Sequence, residues 1–553
     1  MRVPRLLPIF LFSGLIATAA AEPLSLNPLF TDHGVLQQEL PVPVWGQGKP
    51  GEKVEVVFGE QTVETKVDDT GRWLATFAPL EVSREPAVLV VKSGGESLTV
   101  SDLLVGEVWV CSGQSNMAQT VSRSSTMDEA VALANGGKLS HLRLFKVAPQ
   151  ASSMPAKTVT AEWSTATEDA VKSFSATGFY FGSALLRDRD VPVGLIQSAI
   201  GGTNANSWIN SATYANEPEG EMSREWFEEV VAKHPAAMER YERQKAAWGK
   251  KVTAAKAAGK PVQRGAPREP VGPGHPKRPT AYYHGMISPL QPYAMRGVIW
   301  YQGEANSRMP YAPAYRDLML ALAEDWRADW TAAAGGDAEE RRDFPFYLVQ
   351  LPNFGGGHPR GWPLIREQML EFWQQGEKTG MVTTIDVGDK KDIHPRNKKP
   401  VGERLARFAR ANTYGEDIAY SGPIYDSMTV EGASVELRFL YANGVLVSSD
   451  EQPLRHFEVA GGDGQFVPAT TVSIEGEAVI VAAESIPEPR AVRYAWSNHP
   501  EDINFFNAEG LPASPFRTDT WEIVLDPEPE PSAPAPAAVD PKPPVTKEAT
   551  PAE

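Results

Sequence analysis

The chain has almost nothing with which to staple itself. One cysteine, Cys111, stands among 553 residues, so no intramolecular disulfide can form and packed cores must hold the fold. Cys111 ends an apolar run, where a small buried packing residue is expected rather than a nucleophile. Positive charge is scarce as well. Lys and Arg number 53 against 70 Asp and Glu, a formal net charge of -17. No basic surplus exists to neutralise phosphates, which argues against a nucleic-acid partner. Long apolar runs are missing too, since none approaches the ~20 residues that a spanning helix requires. The shorter stretch Leu6 to Ile16, with Arg2 and Arg5 before it and Ala19-Ala20-Ala21 after it, reads as a secretory signal over residues 1–21. Export into a bacterial periplasm or beyond is expected, with no membrane association after cleavage. The end of the chain, 526–553, has no aromatic residue and alternates Pro with Glu and Ala, which predicts an extended, disordered tail.

What is present is ordinary globular material, 42% hydrophobic and 22% charged, in a chain long enough for two to four domains. Residues 22–103 show short alternating stretches, such as Val42 to Trp45, Lys53 to Phe58, Thr62 to Val67 and Ala87 to Val91. Turn chemistry at Lys49-Pro50-Gly51 and Asp68-Asp69-Thr70-Gly71 separates them, as in a small β-sandwich. Residues 104–415 change to an α/β pattern. Pro192 to Ile200, Gly297 to Tyr301, Phe344 to Leu351 and Gly380 to Ile385 are unalternating apolar runs, as expected of strands covered on both faces. Helical patterns at Ala314 to Ala332, Leu364 to Gln375 and Pro400 to Ala411 alternate with them, predicting a doubly wound, mostly parallel sheet. A charged, alanine-rich segment ending in Pro and Gly, about 211–280, reads as an insertion. Strand patterns return over 416–525, which predicts a second β domain.

In a doubly wound sheet the carboxyl ends of the strands meet at one crevice. Ser115 follows the run Leu104 to Val110 within Gly113-Gln114-Ser115-Asn116-Met117. Gly201-Gly202-Thr203-Asn204 follows the second strand, Gln302, Gly303, Glu304 and Asn306 the third, and Gln350 and Asn353 the fourth. Asp386, Asp389, Asp392 and His394 follow the last. These are the parts of a serine esterase. Ser115 would attack an ester carbonyl, His394 would take and return its proton, and Asp392 would orient the imidazole. Backbone amides of Ser115 and Gly202, with the side-chain amides of Asn306 and Gln302, would hold the oxyanion. No second histidine stands at metal-ligand spacing, and Gly461-Gly462-Asp463-Gly464 has no helix after it to receive a phosphate, so neither a metal nor any other cofactor is expected.

With these residues in view, the chain resembles the sialate O-acetylesterase-type proteins of the SGNH (GDSL-like) hydrolase superfamily. The resemblance rests on Val108 to Met117, Gly194 to Ser198 with Gly201-Gly202-Thr203, Trp300 to Asn306 and Asp392-Ile393-His394-Pro395. It extends to Phe30–Gly46, Val492–Trp496 and Gly510–Arg517. It implies an esterase removing O-acetyl groups from sugars, with Ser115 as nucleophile, His394 as base, and Gly202, Asn306 and Gln302 as oxyanion donors. One position departs from the pattern. The superfamily places its aspartate three residues before the histidine, where this chain has Lys391; Asp392 lies two before, Asp389 is another contender, and a Ser-His dyad oriented by a backbone carbonyl is the alternative that the resemblance allows. On the substrate side, Gln114, Trp208, Tyr301, Trp362 and Arg366 are the expected contacts, the aromatic rings by stacking on a sugar and Arg366 by meeting a carboxylate. Trp109 and Trp300, inside strands, read as core. Alternatives are an acetylesterase for xylan or pectin and a non-catalytic glycan-binding protein.

Overall fold

The computed structural model describes residues 23–523, except 217, 261–265, 268, 273–277, 309–310 and 337–342. The expected signal and the Pro-rich tail lie outside the described residues. The architecture is mixed α/β with several sheets, organised around one long strand, Glu96–Gly113. Its first half pairs antiparallel with Ser83–Ser93, which also pairs with Lys53–Phe58. Its second half is the middle of a parallel sheet. The boundary expected at 103/104 therefore falls inside a continuous strand, beside Asp102, whose φ of 54° interrupts the extended backbone.

Across the sheet the order is Trp163–Thr165, Leu142–Lys146, Val193–Ala199, Glu96–Gly113, Gly297–Tyr301, Phe346–Val349 and Thr379–Val382. Only the Trp163–Thr165 edge is antiparallel within this set. The chain builds one side of the Glu96–Gly113 strand first, then crosses to the other. The reversal beside that strand is a topological switch point, where open α/β sheets hold their ligands. Both faces are covered. Trp109 meets Phe181 of helix Ala176–Arg189 and Tyr347, which meets Phe408 of helix Lys399–Asn412. On the other face Trp300 meets Trp326 of helix Tyr315–Ala333, and Phe346 meets Phe372 of helix Gly361–Gln375. Double burial explains the unbroken apolar runs of these strands. Cys111 is fully buried among them, and burial raises its thiol well above the ordinary range.

Helix Ala176–Arg189 starts where Ser175 Oγ accepts the Gly178 N–H at 3.0 Å, and it ends at Asp190 in the left-handed region, φ 57°. It packs tightly on Lys399–Asn412, because a Cβ on Gly402 would sit 2.6 Å from the Phe181 nitrogen. Within the expected insertion, helix Pro218–Ala257 is charged and long, with Pro235 inside it. Past residue 416 two four-stranded antiparallel sheets and a strand pair enclose a second core of Val435, Leu437, Val479, Val481, Val492 and Phe505. Among the described residues, no helix is long and apolar enough to cross a membrane.

Candidate active site

Strand register brings the distant loops together. Ala199 pairs with Gly113, and Gly113 with Tyr301, so three parallel strands end level. The next residues of each, Ile200 to Thr203, Gln114 to Asn116 and Gln302 to Asn306, must share one rim. Gly113 closes the strand at φ 127°, and a Cβ there would lie 2.3 Å from the Tyr301 carbonyl oxygen. Only glycine fits this turn. Gln114 N–H donates to the same carbonyl at 2.9 Å, and a single helical turn, Ser115–Ala118, follows. Ser115 is half-buried, open to the rim. Gly201 lies against it, since a Cβ on Gly201 would be 3.4 Å from Ser115 Cβ.

The donors expected around an oxyanion fall into two groups. Among the described residues no hydrogen bond engages the backbone N–H of Ser115 or of Gly202. Gly202 is exposed and takes φ 72°, a conformation that suits glycine. Asn306, fully buried, is held by Ala205 N–H (3.0 Å) and Gln302 Nε2 (2.8 Å) at its Oδ1, while its Nδ2 donates to Asn206 Oδ1 at 3.3 Å. That leaves one amide hydrogen of Asn306 unspent. Gln302 differs. Its Nε2 lies within hydrogen-bond distance of Gln114 Oε1, Thr203 O and Asn306 Oδ1, and its Oε1 accepts from the Tyr315 hydroxyl. The expected oxyanion contact of Gln302 is corrected: both its amide hydrogens are committed beneath the rim, where they fix Gln114 and Asn306.

His394 stands half-buried on the loop after the last strand. The chain neighbours of Ser115 and His394 touch, because Asn116 Nδ2 donates to the Ile393 carbonyl at 3.0 Å. Asp392 Oδ1 accepts the backbone N–H of His394 at 2.9 Å and lies 3.7 Å from its Nδ1, too long for a hydrogen bond. Burial holds the His394 pKa below the ordinary imidazole value; nearby Lys398 and Arg123 add to this, and Asp392 opposes it. The other aspartates have different work. Asp386 pairs with Arg404 through both oxygens, and Asp389 Oδ1 accepts the N–H groups of Lys391 and Asp392.

The expected substrate contacts are corrected by burial. Trp208 is fully buried, donates from Nε1 to Thr203 Oγ1 at 3.0 Å and stacks on Tyr282. Tyr301 is a strand residue with no exposure, and Trp362 donates to the Pro352 carbonyl at 2.9 Å while packing on Phe354. None of these rings offers a face to a sugar. Arg366 meets carbonyl oxygens instead of a carboxylate, those of Leu351 (2.8 Å), Pro352 (2.8 Å), Ser497 (2.7 Å) and Asn498 (3.1 Å). Full burial lowers its pKa to about 9. It clamps the C-terminal segment to the central sheet. Gln114 is nearly buried, its Oε1 accepting from Gln302 and Ala305.

Sequence reasoning gave no role to Asn116, Glu304 and Lys398. The Asn116 amide donates to Glu304 Oε1, and its Oδ1 accepts from Lys398 Nζ. Two charged residues, Glu304 and Lys398, are thus buried around the side chain that follows Ser115. The one available signal was the position of Asn116 and Glu304, each within two residues of a proposed reacting group.

A family model described as carbohydrate esterase, sialic acid-specific acetylesterase, matches residues 105–248 and 275–410. The human sialate O-acetylesterase is 27% identical over 510 residues, covering 86% of this chain and 88% of its own. The mouse sialate O-acetylesterase is 27% identical over 512 residues, covering 86% and 90%. Among solved structures, a carbohydrate acetylesterase from Xanthomonas citri superimposes with a TM-score of 0.74 at 34% identity, covering 90% of this chain and all of that one.

Proposed function

The chain belongs to the sialic acid-specific acetylesterase family of carbohydrate esterases, and from that premise we propose that it hydrolyses O-acetyl esters of sugars through an acetyl-enzyme on Ser115. Ser115 Oγ attacks the acetyl carbonyl while His394 takes its proton. The tetrahedral oxyanion forms against the N–H groups of Ser115 and Gly202 and the free amide hydrogen of Asn306. Collapse breaks the ester bond, and His394 returns the proton to the sugar oxygen as it leaves. Water, deprotonated by His394, then attacks the acetyl-enzyme and releases acetate. Asp392 acts as an electrostatic partner of the imidazole and not as a hydrogen-bonded third member.

One observation supports this reading: three parallel strands end in register, and the loop that carries Ser115 is tied to the His394 loop by the hydrogen bond from Asn116 to the Ile393 carbonyl. Export, read from the first 21 residues, belongs to the same proposal. So does the choice of an acetylated sialic acid over xylan or pectin, for which the relatives' names speak. The test is acetate release from O-acetylated sialic acid and from acetylated xylo-oligosaccharides, by wild type and Ser115→Ala. Loss of release in the variant is expected, with the sialic acid the better substrate. Equal rates in the two proteins would refute the mechanism, and a preference for the xylo-oligosaccharide would move the substrate.

A further inference from the structure

Asn116, Lys398 and Glu304 make a closed polar node inside the protein. All three are buried, Asn116 and Lys398 completely. The orientation of the Asn116 amide is dictated by its partners. An ammonium at one end requires the carbonyl oxygen, while a carboxylate and the Ile393 carbonyl at the other require the NH2 group. Lys398 Nζ also sits 5.0 Å over the Tyr301 ring, and among the described residues no carboxylate lies within salt-bridge distance of it. Glu304 Oε2 and the Tyr301 hydroxyl are buried with no hydrogen-bond partner among the described residues. Burial lowers the lysine to about 7 and raises the glutamate. A methionine and a glutamine would fill the same volume at less desolvation cost, so packing alone does not account for these charges.

Each arm of the node ends beside a reacting group. Asn116 adjoins Ser115, Glu304 lies two residues before Asn306, and Ile393 adjoins His394, with Lys398 on the same loop. We propose that Lys398 and Glu304, acting through Asn116, are positioning residues that hold the His394 loop at its working distance from Ser115. The proposal rests on the esterase reading above. The groups facing His394 are Asp392, Lys398 and Arg123, and those facing Lys398 are Glu304, Asp392 and the Tyr301 ring. Removing the lysine therefore displaces the imidazole and also withdraws a cation that disfavours its protonated form.

Lys398→Met keeps the unbranched side chain as far as Cε and removes the ammonium. Lys398→Met/Glu304→Gln also leaves no lone buried carboxylate, so it is the variant expected to fold well. Kinetics on p-nitrophenyl acetate across pH, with thermal unfolding alongside, give the readout. In both variants kcat falls about 10–100-fold while KM changes less than about threefold, as a displacement of reacting groups predicts. The acidic limb of the pH profile moves to higher pH. A folded double variant with wild-type kcat and an unmoved limb overturns the node, as does failure of both variants to fold, which reduces it to structure alone. Ser115→Ala in the same assay separates the two claims. Turnover that survives it defeats the esterase reading and the node with it, whereas turnover that needs Ser115 but ignores Lys398 defeats the node only.

Discussion

Asp392→Asn is the substitution that tells a dyad-like site from a full triad. The carboxylate lies 3.7 Å from His394 Nδ1, with side chains 49% and 35% exposed. At that separation two unit charges attract by about 1 kcal/mol in bulk water and about 4 kcal/mol at the effective dielectric of a protein surface. Exposure on both sides puts the pair near the lower figure, about 1–2 kcal/mol for the imidazolium that forms in the transition state. That corresponds to a loss of about five- to thirtyfold in kcat. The substitution is conservative for the backbone, because an asparagine Oδ1 still accepts the His394 N–H now bound at 2.9 Å. A buried, hydrogen-bonded triad aspartate is worth far more, about 10⁴ in kcat. His394→Ala, which removes the base itself, costs at least about 10²–10⁴. Both variants are compared with wild type by steady-state kinetics on p-nitrophenyl acetate and on an O-acetylated sugar, whose poorer leaving group depends more on the histidine. If Asp392→Asn is as damaging as His394→Ala on the sugar, the electrostatic account is wrong and the carboxylate closes onto the imidazole in the working enzyme.

Three further outcomes follow from the same geometry. His394 must be neutral to act as base, and burial lowers its pKa, so kcat/KM falls only as pH drops through a value under the ordinary 6.5; a half-maximum at pH 7 or above contradicts this. Arg366→Met strips donors from four carbonyls and destabilises the protein by on the order of 3 kcal/mol, seen as a lower urea midpoint with KM unchanged. A raised KM at unchanged stability would return Arg366 to the substrate. Asn306→Ala lowers kcat about 10²–10³-fold with little change in KM if its free hydrogen meets the oxyanion; loss of stability alone would make Asn306 a scaffold residue.

What could be read from the chain divides along a physical line. Strands Lys53–Phe58 and Gly297–Tyr301 match their expected spans, and the ends of helices Tyr315–Ala333 and Lys399–Asn412 lie within one residue of theirs. Apolar runs and helical periods are local properties, and they survive into the fold. Helix Ala176–Arg189 was not anticipated, since it buries residues nearly all round and carries little amphipathic signal. Nor were strands Leu142–Lys146 and Trp163–Thr165, which are short and near the sheet edge.

For side chains the divide is sharper, because a strand end fixes which residues reach the rim but not which of them turn upward. Ser115, Gly202 and His394 remain accessible at the rim. Gln302, Glu304 and Asn116, from the same motifs, turn down: Asn116 bonds to Glu304 and Lys398, and Gln302 to Gln114, Asn306 and Tyr315. A Gln-Gly-Glu or Ser-Asn pair in a sequence invites assignment of every polar group to the substrate. Here three of those four side chains hold the loops in register, which the chemistry needs equally, since a hydroxyl and an imidazole on separate loops react only at a fixed separation. The misplaced aromatic residues follow the same logic. Trp208 and Tyr301 sit within a few residues of the rim and Trp362 on the helix that follows the fourth strand, yet all three rings are buried. Sugar contact is then expected from the polar rim and the exposed loops around it, which makes the backbone amides of Gly201 and Gly202, and not a stacking platform or the buried Gln114, the first place to look for substrate selectivity.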